Sequence, residues 1–204
     1  MIETVVIGVS AGGLKALTAI LPSLPADFGL SLVILQHVRS GSGRFLCEHF
    51  NRICAIAVKD ATDKAYLEQG TAYIAPAGYH LLVEDETTLA LSTEPPVCFA
   101  RPSIDVLFET AAEVFEDRVA GVILTGANSD GAQGLAAIKA AGGLAIVQDP
   151  KTAESPTMPR AAIKATKTDH ILTLQEIAFF LCELSEAKGD LKSCTNPNGA
   201  NNVV

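Results

Sequence analysis

Three apolar runs in this sequence end on residues whose types could act together on an acyl group. Ser10 follows TVVIGV at 4–9, His37 follows SLVILQ at 31–36, and Asp130 lies in GANSDG, just after VAGVILT at 119–125. A serine hydroxyl becomes a nucleophile when a neighbouring base takes its proton, and a carboxylate orients that base and stabilises its charged form. Ser10 sits in Gly8-Val9-Ser10-Ala11-Gly12, which matches by letter the sharp strand-to-helix turn that lifts a nucleophile out of a sheet. Each residue also has a plainer reading. The glycines of 8–13 could hold a pyrophosphate at the N-terminus of the following helix. Their spacing is not G-x-G-x-x-G, however, and the second run ends on His37 where a ribose-binding acid would stand. Ser10 could cap its helix, Asp130 could be a first-turn acid in its own helix, and His80 competes with His37 for the role of base.

These residues matter together only if the chain brings the ends of the three runs to one edge. Val/Ile-rich runs of strand length alternate with helical spacing: strands at 4–9, 31–36, 55–58, 71–75, 119–125, 144–148 and 170–174, and helices at 14–21, 44–50, 103–115, within 126–143, at 159–165 and at 175–187. HLLVEDETTLALS at 80–92 has apolar runs around an acidic turn and predicts a β-hairpin. Ser103 is the expected N-cap of its helix, and Gly142-Gly143 the stop of another. Continuous apolar strands between helices predict a three-layer α/β/α sandwich with a mostly parallel, doubly wound sheet and a hairpin insertion. In such sheets ligands bind outside the carboxyl ends of the strands, where Ser10, His37 and Asp130 all emerge.

The composition narrows the function classes. At 204 residues, 49% hydrophobic and 19% charged, the chain fits one sizeable globular domain, read over residues 1–188. A formal charge of −8 argues against nucleic acid as the main partner, since phosphate binding rests on Lys and Arg. No apolar stretch approaches the ~18 residues of a membrane span, and the start lacks a secretory signal, so a cytoplasmic protein is expected. The five cysteines are odd in number and never form CxxC, which reads as reduced thiols. No metal site or cofactor is expected, because Cys47, His49 and Cys54 lack zinc spacing. GDLKSCTNPNGANNVV at 189–204 has no apolar period and reads as a disordered tail.

VVIGVSAGG at 5–13, LQH at 35–37, AYIAPAGYHLL at 72–82, RPSIDVLFETAA at 101–112, LTGANSDGAQGL at 124–135 and IVQDPKTAESPTMPRAAI at 146–163 follow one another along nearly the whole chain. Together they resemble the catalytic domain of the chemotaxis protein-glutamate methylesterases, the CheB family. The resemblance implies hydrolysis of glutamate γ-methyl esters on the cytoplasmic helices of methyl-accepting chemotaxis receptors, with deamidation of glutamines as a second activity. Carried over by position, the nucleophile falls on Ser10, the base on His37 and the acid on Asp130, the trio already selected at the strand ends. Backbone N–H groups of Ala11 and Ala127 are candidate oxyanion donors. Arg39, Arg44, Arg101 and Arg160 are candidate contacts to an acidic receptor helix. The chain departs from the family pattern at Ala11, where threonine is usual, and at Ala127 and Asn128, where the motif is usually Thr-Gly-Met-Gly-x-Asp-Gly. The family generally carries an N-terminal receiver domain; this sequence starts at the first catalytic strand, so no receiver and no internal phosphorylation switch are expected.

Overall fold

Strand β1 (Thr4–Val9) is buried along its whole length, as a run of apolar residues without polar alternation requires of a central parallel strand. The computed structural model describes residues 1–37, 43–97 and 99–187. After β1 the chain runs through α1 (Gly13–Ile20), β2 (Ser31–Gln36), α2 (Gly43–Ile53), β3 (Ala57–Asp60) and β4 (Thr71–Ile74). The hairpin β5 (His80–Asp85) and β6 (Thr88–Ser92) follows, then α3 (Ile104–Phe115), β7 (Val119–Ile123) and α4 (Ala132–Ala140). The last elements are β8 (Leu144–Gln148), α5 (Thr157–Ala165), β9 (His170–Leu172) and α6 (Leu174–Glu186).

Seven strands form one sheet in the order β3-β4-β2-β1-β7-β8-β9, and every pairing in it is parallel. The chain winds outward from β1 on one side, then returns to its other side at β7. β1 is therefore where the winding reverses, the position at which open α/β sheets leave a crevice. Val5, Ile7 and Val9 face a core shared with α1, α2 and α6. Val6 faces the opposite core, shared with α3, α4, α5 and the hairpin. The three-layer α/β/α fold expected from the alternation of elements is the fold observed, with the hairpin as a separate two-stranded sheet.

Gly8 lies within β1, as the strand read at 4–9 requires. One local detail differs from the sequence reading. Among the cysteines, Cys47 and Cys54 are free thiols, whereas Cys182 is disulfide-bonded, so the reading of all five as reduced does not hold for Cys182. The tail at 189–204 and Arg39 lie outside the described residues. Among the described residues, no helix is long and apolar enough to cross a membrane.

α3 and α4 pack against each other through a point of close approach at Gly134. A Cβ built there would stand 2.5 Å from Phe108 Cβ and 2.9 Å from the Asp105 carbonyl oxygen. Backbone cannot give way as a flexible side chain does, so the contact holds the first turns of the two helices at a fixed distance. Alanine would favour the helix by about 0.5–1 kcal/mol, against an overpacking cost of about 1–3 kcal/mol. Gly134→Ala is therefore expected to destabilise the protein by roughly 1–2 kcal/mol net, read as a lower midpoint in urea unfolding. A midpoint that rises would show that the helices separate freely.

Candidate active site

Ser10 and His37 are each the first residue past a neighbouring pair of parallel strands. Val9 pairs with Gln36 in register, and the His37 N–H donates to the Val9 carbonyl at 3.0 Å. On the other side, the Ser10 N–H donates to the Thr125 carbonyl at 2.9 Å. The sheet thus sets Ser10 between His37 and the loop after β7, with neighbouring backbones about 4.8 Å apart. Gly12, at φ +80°, is the N-cap of α1 and makes no side-chain cap bond. The chain turns there in a left-handed conformation that glycine adopts without steric cost. Among the described residues the Ser10 hydroxyl makes no cap bond to α1, which speaks against the capping alternative.

Residues that sequence reading did not single out fasten this turn. Gln36 Nε2 donates to the Ser10 carbonyl at 2.9 Å and to the His37 carbonyl at 3.1 Å. Its amide lies where a Gly13 Cβ would stand, 1.9 Å from Oε1, so Gly13 is required by that side chain. Thr125 Oγ1 donates to the Ala11 carbonyl at 2.8 Å and accepts the Ser155 N–H at 2.9 Å. Gln148 Oε1 in turn accepts the Thr125 N–H at 2.9 Å. The loops after β1, β7 and β8 are held as one body. The backbone N–H groups of Ala11 and Ala127 have no acceptor among the described residues, and both residues are exposed.

Asp130 is 3% exposed, and four donors converge on it. Oδ1 accepts from Ser103 Oγ at 2.8 Å and from the Asp105 N–H at 3.0 Å. Oδ2 accepts from the Ile104 N–H at 2.8 Å and lies 2.9 Å from His37 Nε2. The ring N–H is not aimed straight at the oxygen, so this last contact is close in distance and loose in angle. Burial pushes the Asp130 carboxyl up, yet the bonds from His37, Ile104, Asp105 and Ser103 together hold it below the usual carboxylate range.

Asp130 therefore does cap a helix, but not its own. α4 is N-capped by Gly131, and the Asp130 carboxylate sits on the N-terminus of α3, where the helix dipole favours an anion. Ser103, the expected side-chain cap of α3, makes no cap bond there and spends its hydroxyl on Asp130. Asp105 reciprocates: its Oδ1 accepts the Gly134 N–H in the first turn of α4 at 2.8 Å. Burial raises the Asp105 pKa, and the neighbouring Asp130 charge adds to the rise.

The remaining candidates separate cleanly. His80 is 2% exposed; its Nδ1 accepts the Ser103 N–H at 3.3 Å and its Nε2 is 3.1 Å from the Pro95 carbonyl. Both ring nitrogens are committed, so His80 supports the loop before α3 and has no lone pair to offer as a base. Arg101 donates through one guanidinium nitrogen to the Thr93 and Glu94 carbonyls, tying down the same loop. Arg160 is exposed on α5 with no side-chain partner among the described residues. Burial pushes the thiols of Cys47 and Cys54 up to about 12 and about 11, which keeps them protonated and poor nucleophiles at neutral pH. Among the described residues, no three His, Cys, Asp or Glu side chains are grouped to hold a metal ion.

Comparison with known proteins adds to this geometry. The family model described as CheB methylesterase matches residues 5–181. The chain belongs to the CheB methylesterase family. A Leptospira interrogans relative is 52% identical over 184 residues, 90% of this chain and 95% of that protein. Protein-glutamate methylesterase/protein-glutamine glutaminase from Symbiobacterium thermophilum is 39% identical over 174 residues, 85% of this chain and 48% of its own length. The protein of the same name from Geobacillus kaustophilus is 41% identical over 184 residues, 88% of this chain and 53% of its own length. The chain thus spans about half the length of these last two relatives. The crystal structure of the Thermotoga maritima CheB methylesterase catalytic domain superposes with a TM-score of 0.87 at 32% identity, covering 90% of this chain and 99% of that one. Ala127 and Asn128 lie in the loop after β7, and Asn128 faces His37.

Two substitutions distinguish the jobs of Asp130. Its folded-state pKa is depressed, so its contribution to stability is present above the unfolded carboxyl value of about 3.9 and is lost as pH falls through the lower folded value. Asp130→Asn is expected to lower stability at pH 7 by roughly 2 kcal/mol, since an amide nitrogen replaces an acceptor among buried N–H donors. It is also expected to flatten the fall of the thermal transition below about pH 4. Ser103→Ala removes one donor and is expected to cost about 1 kcal/mol. Differential scanning calorimetry across pH reads both, and an Asp130→Asn curve parallel to the parent would refute the assignment.

Proposed function

We propose that this chain is a serine hydrolase that removes methyl groups from glutamate γ-methyl esters, with Ser10 as nucleophile, His37 as base and Asp130 as the acid that orients it. The supporting observation is the placement of a serine and a histidine at adjacent strand ends, with the histidine's far nitrogen 2.9 Å from a buried carboxylate. Because Nε2 faces Asp130, the nitrogen left for the serine is Nδ1. The imidazole is used the other way round from the chymotrypsin arrangement, in which Nδ1 faces the acid. Either nitrogen serves, provided the other carries the proton that the carboxylate accepts.

In the first step Ser10 Oγ bonds to the ester carbonyl carbon while Nδ1 takes the hydroxyl proton. The carbonyl oxygen becomes an oxyanion facing the free N–H groups of Ala11 and Ala127, and the imidazolium is stabilised by Asp130. The carbon–oxygen bond to the methoxy group then breaks, and the departing oxygen takes the proton from Nδ1 as methanol. A water molecule attacks the acyl-serine by the same route in reverse, releasing glutamate and restoring the serine. A glutamine side chain would pass through the same steps with ammonia as leaving group. Asp130 performs this role without titrating: its depressed pKa keeps it anionic while the base charges and discharges.

The relatives' names support a protein-borne glutamyl ester as substrate, which we place on the cytoplasmic helices of methyl-accepting chemotaxis receptors. Arg160, exposed on α5, is the proposed contact for acidic residues flanking the ester, and Arg39, outside the described residues, is kept as a second. An overall negative chain docks a neutral ester without charge penalty and releases a carboxylate product easily.

The test is methanol release from a methylated receptor fragment. Ser10→Ala is expected to abolish turnover while moving the thermal transition by less than the ~1 kcal/mol typical of a lost helix cap, because its hydroxyl has no hydrogen-bond partner among the described residues. His37→Gln should match that loss and His80→Gln should be milder in activity. Retained turnover in the Ser10 variant would overturn the reading.

A further inference from the structure

The loop after β7 holds a side chain that the proposed mechanism does not use. Asn128 accepts the Asp130 N–H through Oδ1 at 3.2 Å. A backbone N–H can only donate, so the atom it meets is the amide oxygen, and the amide nitrogen is the end that faces His37. Asn128 Nδ2 lies 3.4 Å from His37 Nδ1. That is the same nitrogen that Asp130 leaves open on the far side of the ring. Among the described residues, Nδ1 is hydrogen-bonded to Asn128 and not to Ser10.

A neutral imidazole nitrogen carries one in-plane lone pair and accepts one strong hydrogen bond at a time. With Nε2 protonated toward Asp130, the lone pair on Nδ1 is the one that must take the Ser10 proton. Asn128 and Ser10 therefore compete for it. We propose that Asn128 is a positioning residue that caps the base: it holds Nδ1 in the free protein, and the cap has to be exchanged for the Ser10 hydroxyl before the serine can attack. This rests on the assignment of His37 as base to Ser10.

The geometry makes the exchange easy. The contact is longer than the 2.7–3.2 Å of a strong N–H donor bond, and the Asn128 side chain is exposed, so its amide can turn to solvent or to substrate. A neutral bond of this kind shifts an equilibrium by roughly two- to tenfold, so the cap slows the serine without disabling it. The Oδ1 anchor to the Asp130 N–H keeps the amide beside the ring, because a rotation that withdraws Nδ2 also loosens that bond. Asn128 thus links the conformation of the acid's own backbone to the availability of the base.

The experiment measures how fast a fluorophosphonate labels Ser10 in the full chain, with kcat and KM on the methylated receptor fragment, for the parent, Asn128→Ser and Asn128→Asp. Serine at 128 still accepts the Asp130 N–H but is too short to reach Nδ1. Aspartate keeps the length and the acceptor but cannot donate, and its second oxygen draws a proton onto Nδ1. Capping predicts labelling about two- to tenfold faster in Asn128→Ser, with kcat raised and KM unchanged. It predicts labelling at least about tenfold slower in Asn128→Asp, since the lone pair is then lost to a proton. The 15N resonance of His37 Nδ1 should move toward that of an unbonded pyridine-type nitrogen in Asn128→Ser while Nε2 stays in place. A residue needed only for loop structure gives equal or slower labelling in both variants, and that result, with the parent labelled at Ser10, overturns the cap and leaves the hydrolase reading standing. A parent that neither labels nor turns over substrate overturns the hydrolase reading and the cap with it. If Asn128→Ser fails to fold, Asn128→Ala, which also lacks the donor, is read in its place: labelling equal to or slower than the parent's refutes the cap.

Discussion

The Asp130 carboxylate organises the C-terminal edge of this sheet. Its two oxygens take Ser103 Oγ, the first two backbone N–H groups of α3 and the near side of the His37 ring. Removing such a group from water is costly unless each lone pair finds a donor, and here a helix N-terminus supplies them. The same bonds that make burial tolerable keep the carboxyl ionised, which is the state the proposed role of Asp130 needs. Structural support and ionisation are one set of contacts, so changes to α3 reach His37 through a single residue.

Asp130 and Asp105 form a reciprocal pair across two helices. Each carboxylate, borne on or just before one helix, satisfies N–H groups at the start of the other. The two acids are pushed in opposite directions: Asp105 upward by burial and its neighbour's charge, Asp130 downward by its donors. One site thus accommodates two close carboxyl groups without two equally stable anions. The close approach at Gly134 sets the spacing at which this exchange works.

Rigidity is distributed unevenly around the proposed catalytic residues. The Ser10 turn is pinned by Gln36, Thr125 and, through it, Ser155. The His37 ring is less constrained, with a loosely aimed contact to Asp130 and a long one to Asn128. In the proposed roles, a fixed nucleophile and a base with some freedom suit a reaction in which the imidazole must face the serine first and the leaving group later. The departures at Ala127 and Asn128 fall on the looser side, where a side chain can tune the base without disturbing the turn.

The sequence alone determined the layers of this protein, the parallel strands and the three positions at the strand ends, because those follow from local pattern. Unbroken β-branched runs, helical spacing and glycines after β1 each act within a few residues, and the turn after a strand must emerge at its carboxyl end. The ordered motifs likewise carried the family resemblance, since they are properties of the chain. Tertiary structure decided what each side chain is spent on. Ser103 reads as a cap for its own helix, yet its hydroxyl goes to Asp130, 27 residues away. Asp130 reads as an acid for α4 and instead caps α3. His80 and His37 look alike by position, and only the packing of Ser103 and Pro95 around His80 removes it from contention. Gln36, Thr125 and Asn128 carry no local signal, because a neutral polar side chain acquires a role only from the partner the fold places within about 3 Å of it.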